Sequence, residues 1–595
     1  MKRFLAFILL STIIMCTLSA QAIAESSVST NEVINYDVEL DLNTGASSSD
    51  LVSSSFNKDG NLELTYKGET PISIAISGTL NGTLIVKSEN SDYTLVLNNA
   101  NITGNTLPAI QLKSTTQATL YLADGSVNTI ADSSANSKKG AITTSGDVII
   151  DGNGTLNLSV YKKHGLKLDG GLTINNGNVN IVGDENAEGN MISADLFFVM
   201  NGGNLDINAK GNVHATESKG IKVNGIEGTG TGLGYVEIND GNINIVSVGK
   251  AITAGWKLEE DAETEQTDDD PIPNVYINGG YITILTTGTP YEYSDEESLS
   301  PEGIEAKDNL YINGGYIYIV STDDSLNAGK GIYVNGGYTY ARSTDNDSFD
   351  SNGIIQINGG TLITMSSSWE QAFDCDNDKY FTYTGGTYVG AGNGNNMPKG
   401  ESTSAYSIAY GNQTFYAGDQ IAVLDKDGNV VTGFVVPYEV PSLTSIVFGS
   451  PLFEKDNSYT IALGAYKEQP ADSLVEAGAT FTARTEVVTI DLTDYTVSEG
   501  YIGMNIDTNF GGGFGGFGGG MGGFDKRGDF GGFDGNFDPN NRGVNRPDNM
   551  PQNMQFNGQS ATLPKGVTLP ADMNADTAMQ LINYLMQNYT NIGNM

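Results

Sequence analysis

Between about residues 60 and 394, apolar and polar residues alternate in short runs, and pairs of runs are hinged on glycine. The pattern is clearest in Val275-Tyr-Ile-Asn-Gly-Gly-Tyr-Ile-Thr-Ile284, which returns as Leu310-Tyr-Ile-Asn-Gly-Gly-Tyr-Ile-Tyr-Ile319. Further copies centre on Gly203, Gly241, Gly337, Gly360 and Gly386, with looser ones at Gly125, Gly154 and Gly177. From Gly154 onward the steps between anchor glycines are 23, 26, 38, 39, 35, 22, 23 and 26 residues. Period-two alternation predicts strands with Ile312, Ile317 and Ile319 facing inward and Tyr311, Tyr316 and Tyr318 outward. Asn-Gly-Gly supplies the positive-φ positions of the turn.

One such unit cannot bury its apolar face alone, whereas a stack of them does so continuously. A step near 23 suits a three-sided coil with one strand per side, stacked about 4.8 Å apart. The prediction is an all-β chain: a right-handed parallel β-helix over 61–394. Propeller blades need about 40 residues each, which the short steps do not supply. The long steps carry insertions at Gly225 to Gly234, Glu259 to Asp270 and Tyr291 to Glu302. Such loops gather on one face of a solenoid, either as a binding surface or as solvated flaps.

The flanks read differently. Lys2 and Arg3, the apolar run Phe4 to Met15 and Ala22-Ile23-Ala24 predict an export signal over 1–24. Residues 25–60 form an N-terminal segment and cap. Residues 395–500 stay strand-like without anchors and read as a β-rich cap over the last coil. Residues 501–572 are a Gly/Phe/Asp/Asn-rich low-complexity tail expected to be disordered. Residues 573–595 predict one short helix. No later apolar stretch is long enough to span a bilayer.

Composition narrows the partners. The 595 residues include 71 Asp+Glu against 30 Lys+Arg, a formal net charge of −41, which excludes a phosphate-neutralising nucleic-acid surface. Beyond the signal only Cys375 remains, so no intrachain disulfide forms, and alternation turns this thiol inward as a buried, inert group. Two histidines and no Gly-x-Ser-x-Gly elbow exclude a catalytic triad.

Aligned on their anchor glycines, successive coils place Glu302 and Glu305, Asp324 and Asn327, then Asp347 and Asp350, thirteen and ten residues upstream. The next coil offers Asp374 and Asp376 near Glu370, while Asp323, Asp345 and Asn352 add oxygens. Equal offsets mean stacked positions, so these groups predict a carboxylate column with no Lys or Arg at the same offsets. Unit charges about 4.8 Å apart repel by about 3 kcal/mol at an effective dielectric of 20. Calcium, which takes six to eight hard oxygens, reverses that cost; solvated acidic turns are the alternative. Earlier coils carry His164, Lys167, Lys219 and Lys222 instead, so the edge changes from basic to acidic. Outward tyrosines also share offsets: Tyr276, Tyr311 and Tyr333, then Tyr281, Tyr316 and Tyr338, with Tyr318 beside Tyr340. They read as a sugar platform or as aromatic ladders that only strengthen the stack.

With Pro301-Glu-Gly-Ile-Glu-Ala-Lys307, Ser321-Thr-Asp-Asp-Ser-Leu-Asn-Ala328, Asp347-Ser-Phe-Asp-Ser-Asn-Gly353 and Ala372-Phe-Asp-Cys-Asp376, each followed by its Gly-Gly turn, the chain resembles a family of exported bacterial carbohydrate-binding β-helix proteins. The resemblance covers roughly residues 60 to 500. It implies a shape like pectate lyases, bound calcium, and affinity for plant cell-wall polysaccharide such as polygalacturonate or cellulose, without established catalysis. The expectation is a secreted or surface-associated, calcium-dependent carbohydrate-binding protein. A calcium-dependent polyuronate lyase using Lys307 or Arg342 as base and a structural surface or adhesin solenoid are the rival readings.

Overall fold

The structure is a computed structural model. It describes residues 36–502 apart from 89, 114–116, 139, 211–217, 227–231, 257–269, 295–296, 376, 469–472 and 501, together with 562–563 and 567–568. The expected signal peptide, Asp376, most of the acidic insertion, nearly all of the low-complexity tail and the C-terminal helix lie outside the described residues.

The repeats form a parallel β-helix with three strands per coil. Leu326–Ala328, Gly331–Val334 and Tyr338–Ser343 pair in parallel with Ile304–Ala306, Asn309–Ile312 and Tyr316–Ser321 on one side. On the other side they pair with Phe349–Ser351, Ile354–Ile357 and Thr361–Ser366. The first face is a thirteen-stranded sheet running from Val52–Phe56 to Phe373–Asp374. Inward residues stack like on like: Ile277, Ile312, Val334 and Ile357 are 0–1 % exposed. Each such side chain contributes about 1.5–3 kcal/mol of burial. Ile317 and Ile319 are likewise buried, while Tyr311 and Tyr316 are half-buried and face outward.

The corner between the second and third faces shows why the repeat needs Asn-Gly-Gly. Gly315 has φ +85°, and a Cβ there would sit 2.8 Å from the Gly279 carbonyl oxygen. Its neighbour Gly314 would place a Cβ 2.5 Å from the Asn278 oxygen, so close stacking excludes any side chain. The asparagine builds a ladder. The amides of Asn201, Asn239, Asn278, Asn313, Asn335 and Asn358 each donate from Nδ2 to the Oδ1 of the equivalent residue one coil earlier, at 2.8–3.0 Å.

The last coils are closed by aromatics. Phe349, Phe373, Phe381, Tyr383 and Tyr388 are fully buried and meet mostly edge to face. Cys375 is buried beside them and forms no disulfide. Beyond them, the final strand Thr387–Gly392 pairs antiparallel with Ser445–Gly449, which pairs with Ser407–Gly411 and extends the solenoid sheet. A separate five-stranded antiparallel sheet joins Leu474–Val475, Val430–Val435, Gln420–Leu424, Ser458–Tyr466 and Phe481–Asp491. Its apolar residues Ile421, Val423, Phe434 and Ile461 pack with Ile363, Met365 and Val389, the outward side chains of the third face. The C-terminal layer therefore also covers the flank of the last coils.

Candidate functional site

Two columns three residues apart run up the entrance to the first face. Strand pairing stacks Lys167, Ser193, Lys222, Thr253, Glu305, Asn327, Asp350 and Asp374 in one line. Main-chain hydrogen bonds stack the corner before it as His164, Asn190, Lys219, Lys250, Glu302, Asp324, Asp347 and Gln371. Regular parallel pairing forces this arrangement, since a residue outward on one coil is outward on the next.

In the acidic coils the corner carboxylates are deeply placed: Glu302, Asp324 and Asp347 are 4–7 % exposed. Asp324 accepts from Asn327 Nδ2 at 2.9 Å through Oδ2, and its Oδ1 is buried with no hydrogen-bond partner. Burial first, then the charges of Asp350, Asp323, Glu302 and Asp347, push its carboxyl well above the ordinary aspartate range. Asp347 accepts from the Gln371 backbone N–H at 2.6 Å. It too is pushed well up by burial, then by Asp374 and Glu370. Glu370 rises to about 7 through burial and Asp374. Among the described residues, no Lys or Arg forms an ion pair with Asp323, Asp324 or Asp347. Asp323 lies off the column and accepts from Asn346 Nδ2 at 2.8 Å. Asn352 is exposed just past the end of its strand. Among the described residues, no three His, Cys, Asp or Glu side chains gather into a ready-made metal cage; the oxygens are spread over successive coils.

The lower end of the column corrects the expectation that it holds no cation. Lys250 donates to Glu302 Oε1 at 2.6 Å and to Glu305 Oε1 at 2.9 Å, and Lys307 pairs with Glu305 as well. Glu302 and Glu305, expected among the metal ligands, are therefore held by lysine. Counting back from Gly280 lands on Thr267 inside an insertion, which hid Lys250 at the corner offset.

The tyrosines stack as expected but do not form one platform. Tyr276, Tyr311 and Tyr333 lie on the second face, with centroids 5.1 and 4.8 Å apart. Tyr281, Tyr316 and Tyr338 lie on the third, across the Asn-Gly-Gly corner. Tyr316 and Tyr338 are parallel within 3° at 4.8 Å, and Tyr318 and Tyr340 within 5° at 4.5 Å. Rings stacked this way cover much of one another's faces, the arrangement of an aromatic ladder. The C-terminal layer packs against Tyr338 and Tyr340 as well. Tyr281, 46 % exposed and tilted 37° from Tyr316, keeps more open surface. An aromatic missed in the sequence is Trp369, 68 % exposed beside Glu370 at the acidic end. The signal was available: it is one of only two tryptophans in the chain, next to an acid of the column.

Residues 58–348 match the model of a family described as "Carbohydrate-binding domain-containing protein". The match takes in Glu302 to Asp347 and ends before Asp350. No curated protein matches the chain. A solved chain, the polysaccharide lyase-like protein from C. thermocellum in its gadolinium derivative, is similar at 19 % identity and a TM-score of 0.30, covering 55 % of this chain and 97 % of that one.

Proposed function

Taking residues 58–348 as a carbohydrate-binding domain of the family they match, we propose that this protein is an exported, non-catalytic binder of acidic plant cell-wall polysaccharide that works with calcium. The observation that carries the reading is the stacked corner of buried carboxylates in which, among the described residues, Asp324 Oδ1 has no partner and no lysine or arginine pairs with Asp324 or Asp347. The donor set is carboxylate and amide oxygen, the hard type that calcium takes. Asp323, Asp324, Asn327, Asp347, Asp350 and Asp374 are the residues that would hold it. Bound calcium would supply the positive charge this corner lacks and a bridge to a uronate carboxylate. The chain's own residues orient the oxygens: Asn327 fixes Asp324, and the Gln371 N–H fixes Asp347. Trp369 offers an indole face beside this corner for the C–H side of a sugar ring.

The lyase reading has less support. Its candidate base Lys307 is tied up in an ion pair with Glu305, and Arg342 contacts Ser367 at 3.4 Å. Titration of polygalacturonate with calcium present and after chelation tests the reading. Binding is expected with calcium and lost without it, and Trp369→Ala lowers affinity about tenfold, or about 1.4 kcal/mol. Undiminished binding in chelator discards the calcium bridge. Ultraviolet absorbance from unsaturated product at alkaline pH would restore the lyase, and no glycan affinity at all would leave a structural solenoid.

A further inference from the structure

Lys250 stands where the edge changes sign. Its coil lies directly beneath Glu302 at the corner, as Glu302 lies beneath Asp324 and Asp324 beneath Asp347. The ammonium is placed between two carboxylates of the next coil, 2.6 Å from Glu302 Oε1 and 2.9 Å from Glu305 Oε1. Glu302 is 5 % exposed, and its second oxygen Oε2 is buried with no hydrogen-bond partner. Two buried carboxylates from one coil, bridged by one cation from the coil below, is the charge arrangement that calcium would complete in the coils above. Here the chain supplies the cation itself. The ammonium reaches one oxygen of each carboxylate and leaves Glu302 Oε2 without a partner.

We propose that Lys250 is a resident cation that substitutes for a divalent ion in this coil, so that the metal column begins only at Asp324, with Asp323 beside it, and Glu302 with Glu305 form a latent divalent-cation site that Lys250 blocks. The inference rests on the calcium reading for the extent of the column, but the latent site stands on the Lys250, Glu302 and Glu305 geometry alone. Lys307 is the secondary partner of Glu305; at 55 % side-chain exposure it is free to swing into solvent when a divalent ion arrives.

The experiment is calcium stoichiometry of the full chain by elemental analysis, with thermal melts in calcium and in chelator, for wild type and Lys250→Met. Methionine keeps the unbranched length and removes the charge. The variant is expected to bind one more calcium per chain than wild type, to melt below wild type in chelator, and to recover in calcium. Lys250→Gln, which keeps a hydrogen-bond donor, is the second variant should the methionine form fail to fold without metal. It is expected to gain the same ion. Unchanged stoichiometry in a folded variant, with no added response of its melt to calcium, overturns the proposal while leaving the calcium reading standing. A variant that gains one ion over a wild type binding none supports the latent site and removes the calcium column above it. Calcium on neither protein overturns both.

Discussion

Two corners of the same solenoid repeat a polar residue coil after coil, and they differ in what the repeated group can do. At the corner between the second and third faces an asparagine recurs, and each amide donates to the one below while accepting from the one above. A carboxamide carries both donor and acceptor, so a column of them satisfies itself. At the entrance to the first face the repeated group is a carboxylate, which only accepts. Glu302 and Asp324 each keep an orphan oxygen there, and burial together with the charges of neighbouring coils raises Asp324 and Asp347. Strict register amplifies whatever is repeated, so a stacked acid is relieved only by a proton or by a cation that is not part of the repeat. Earlier coils of this same entrance use cations of the chain: Lys167 bonds Asp195 at 2.6 Å, and Asn224 also donates to Asp195.

The largest break in this comparison is expected from paired substitutions in the two halves of the entrance. Lys167→Met removes the cation from a pair whose side chains are 19 % and 15 % exposed, and should cost about 1–3 kcal/mol with or without calcium. Asp324→Asn removes a buried charge and should change sign with conditions. In chelator it stabilises by about 1–3 kcal/mol, because an unpaired, like-charged oxygen is gone. In calcium it destabilises, because a ligand is gone. Denaturant titrations of both variants in both buffers read this directly; an Asp324→Asn effect of one sign throughout would mean the acidic corner needs no metal.

Much of this was legible before the fold was known, and the reason is the repeat. The alternation around Ile312, Ile317 and Ile319 and the Asn-Gly-Gly step fixed strand, turn and coil, and equal offsets from the anchor glycine placed Asn327 on Asp350. In the next coil, whose loop is longer, they pointed to Asp374 and Asp376 together, and the pairing stacks Asp374 on Asp350. What failed did so where counting or pairwise spacing carries no information. An insertion displaced Lys250 from its expected offset. Ring orientation is invisible to spacing, so the equal offsets of Tyr316 and Tyr338 carried no sign that their planes lie parallel. The cap's packing against Ile363 and Met365 depends on contacts between segments that share no periodicity.

A smaller, graded effect is expected with pH. Glu370 is raised to about 7, and Asp324 and Asp347 are raised well above their ordinary range. A group whose folded value is raised binds its proton more tightly in the native state, so its contribution is complete below the unfolded value near 4 and is lost as pH rises through the folded value. Calcium-free protein should therefore have its acidic coils more stable near pH 5 than near pH 8, the reverse of ordinary acid denaturation. Saturating calcium should flatten or invert that slope. Melts that rise monotonically from pH 5 to 8 in chelator would show that these carboxyls are ionised at no cost.

The smallest effect tests the donor argument itself, at the corner where no metal is invoked. Asn313 donates to Asn278 Oδ1 at 2.8 Å and accepts from Asn335 Nδ2 at 2.8 Å. Asn313→Asp keeps the shape and the acceptor but deletes the donor, importing one unit of the acidic corner into the neutral one. The site is exposed, so water replaces the lost bond and the cost should be about 0.5–1.5 kcal/mol at neutral pH. Once protonated in mild acid, the new carboxyl regains an O–H to give to Asn278, and the difference from wild type should close. Chelator should have no influence on it. A loss that persists unchanged in acid would place the defect in backbone geometry at the turn, and the contrast between a self-satisfying amide stack and an acceptor-only carboxylate stack would then no longer account for the two corners.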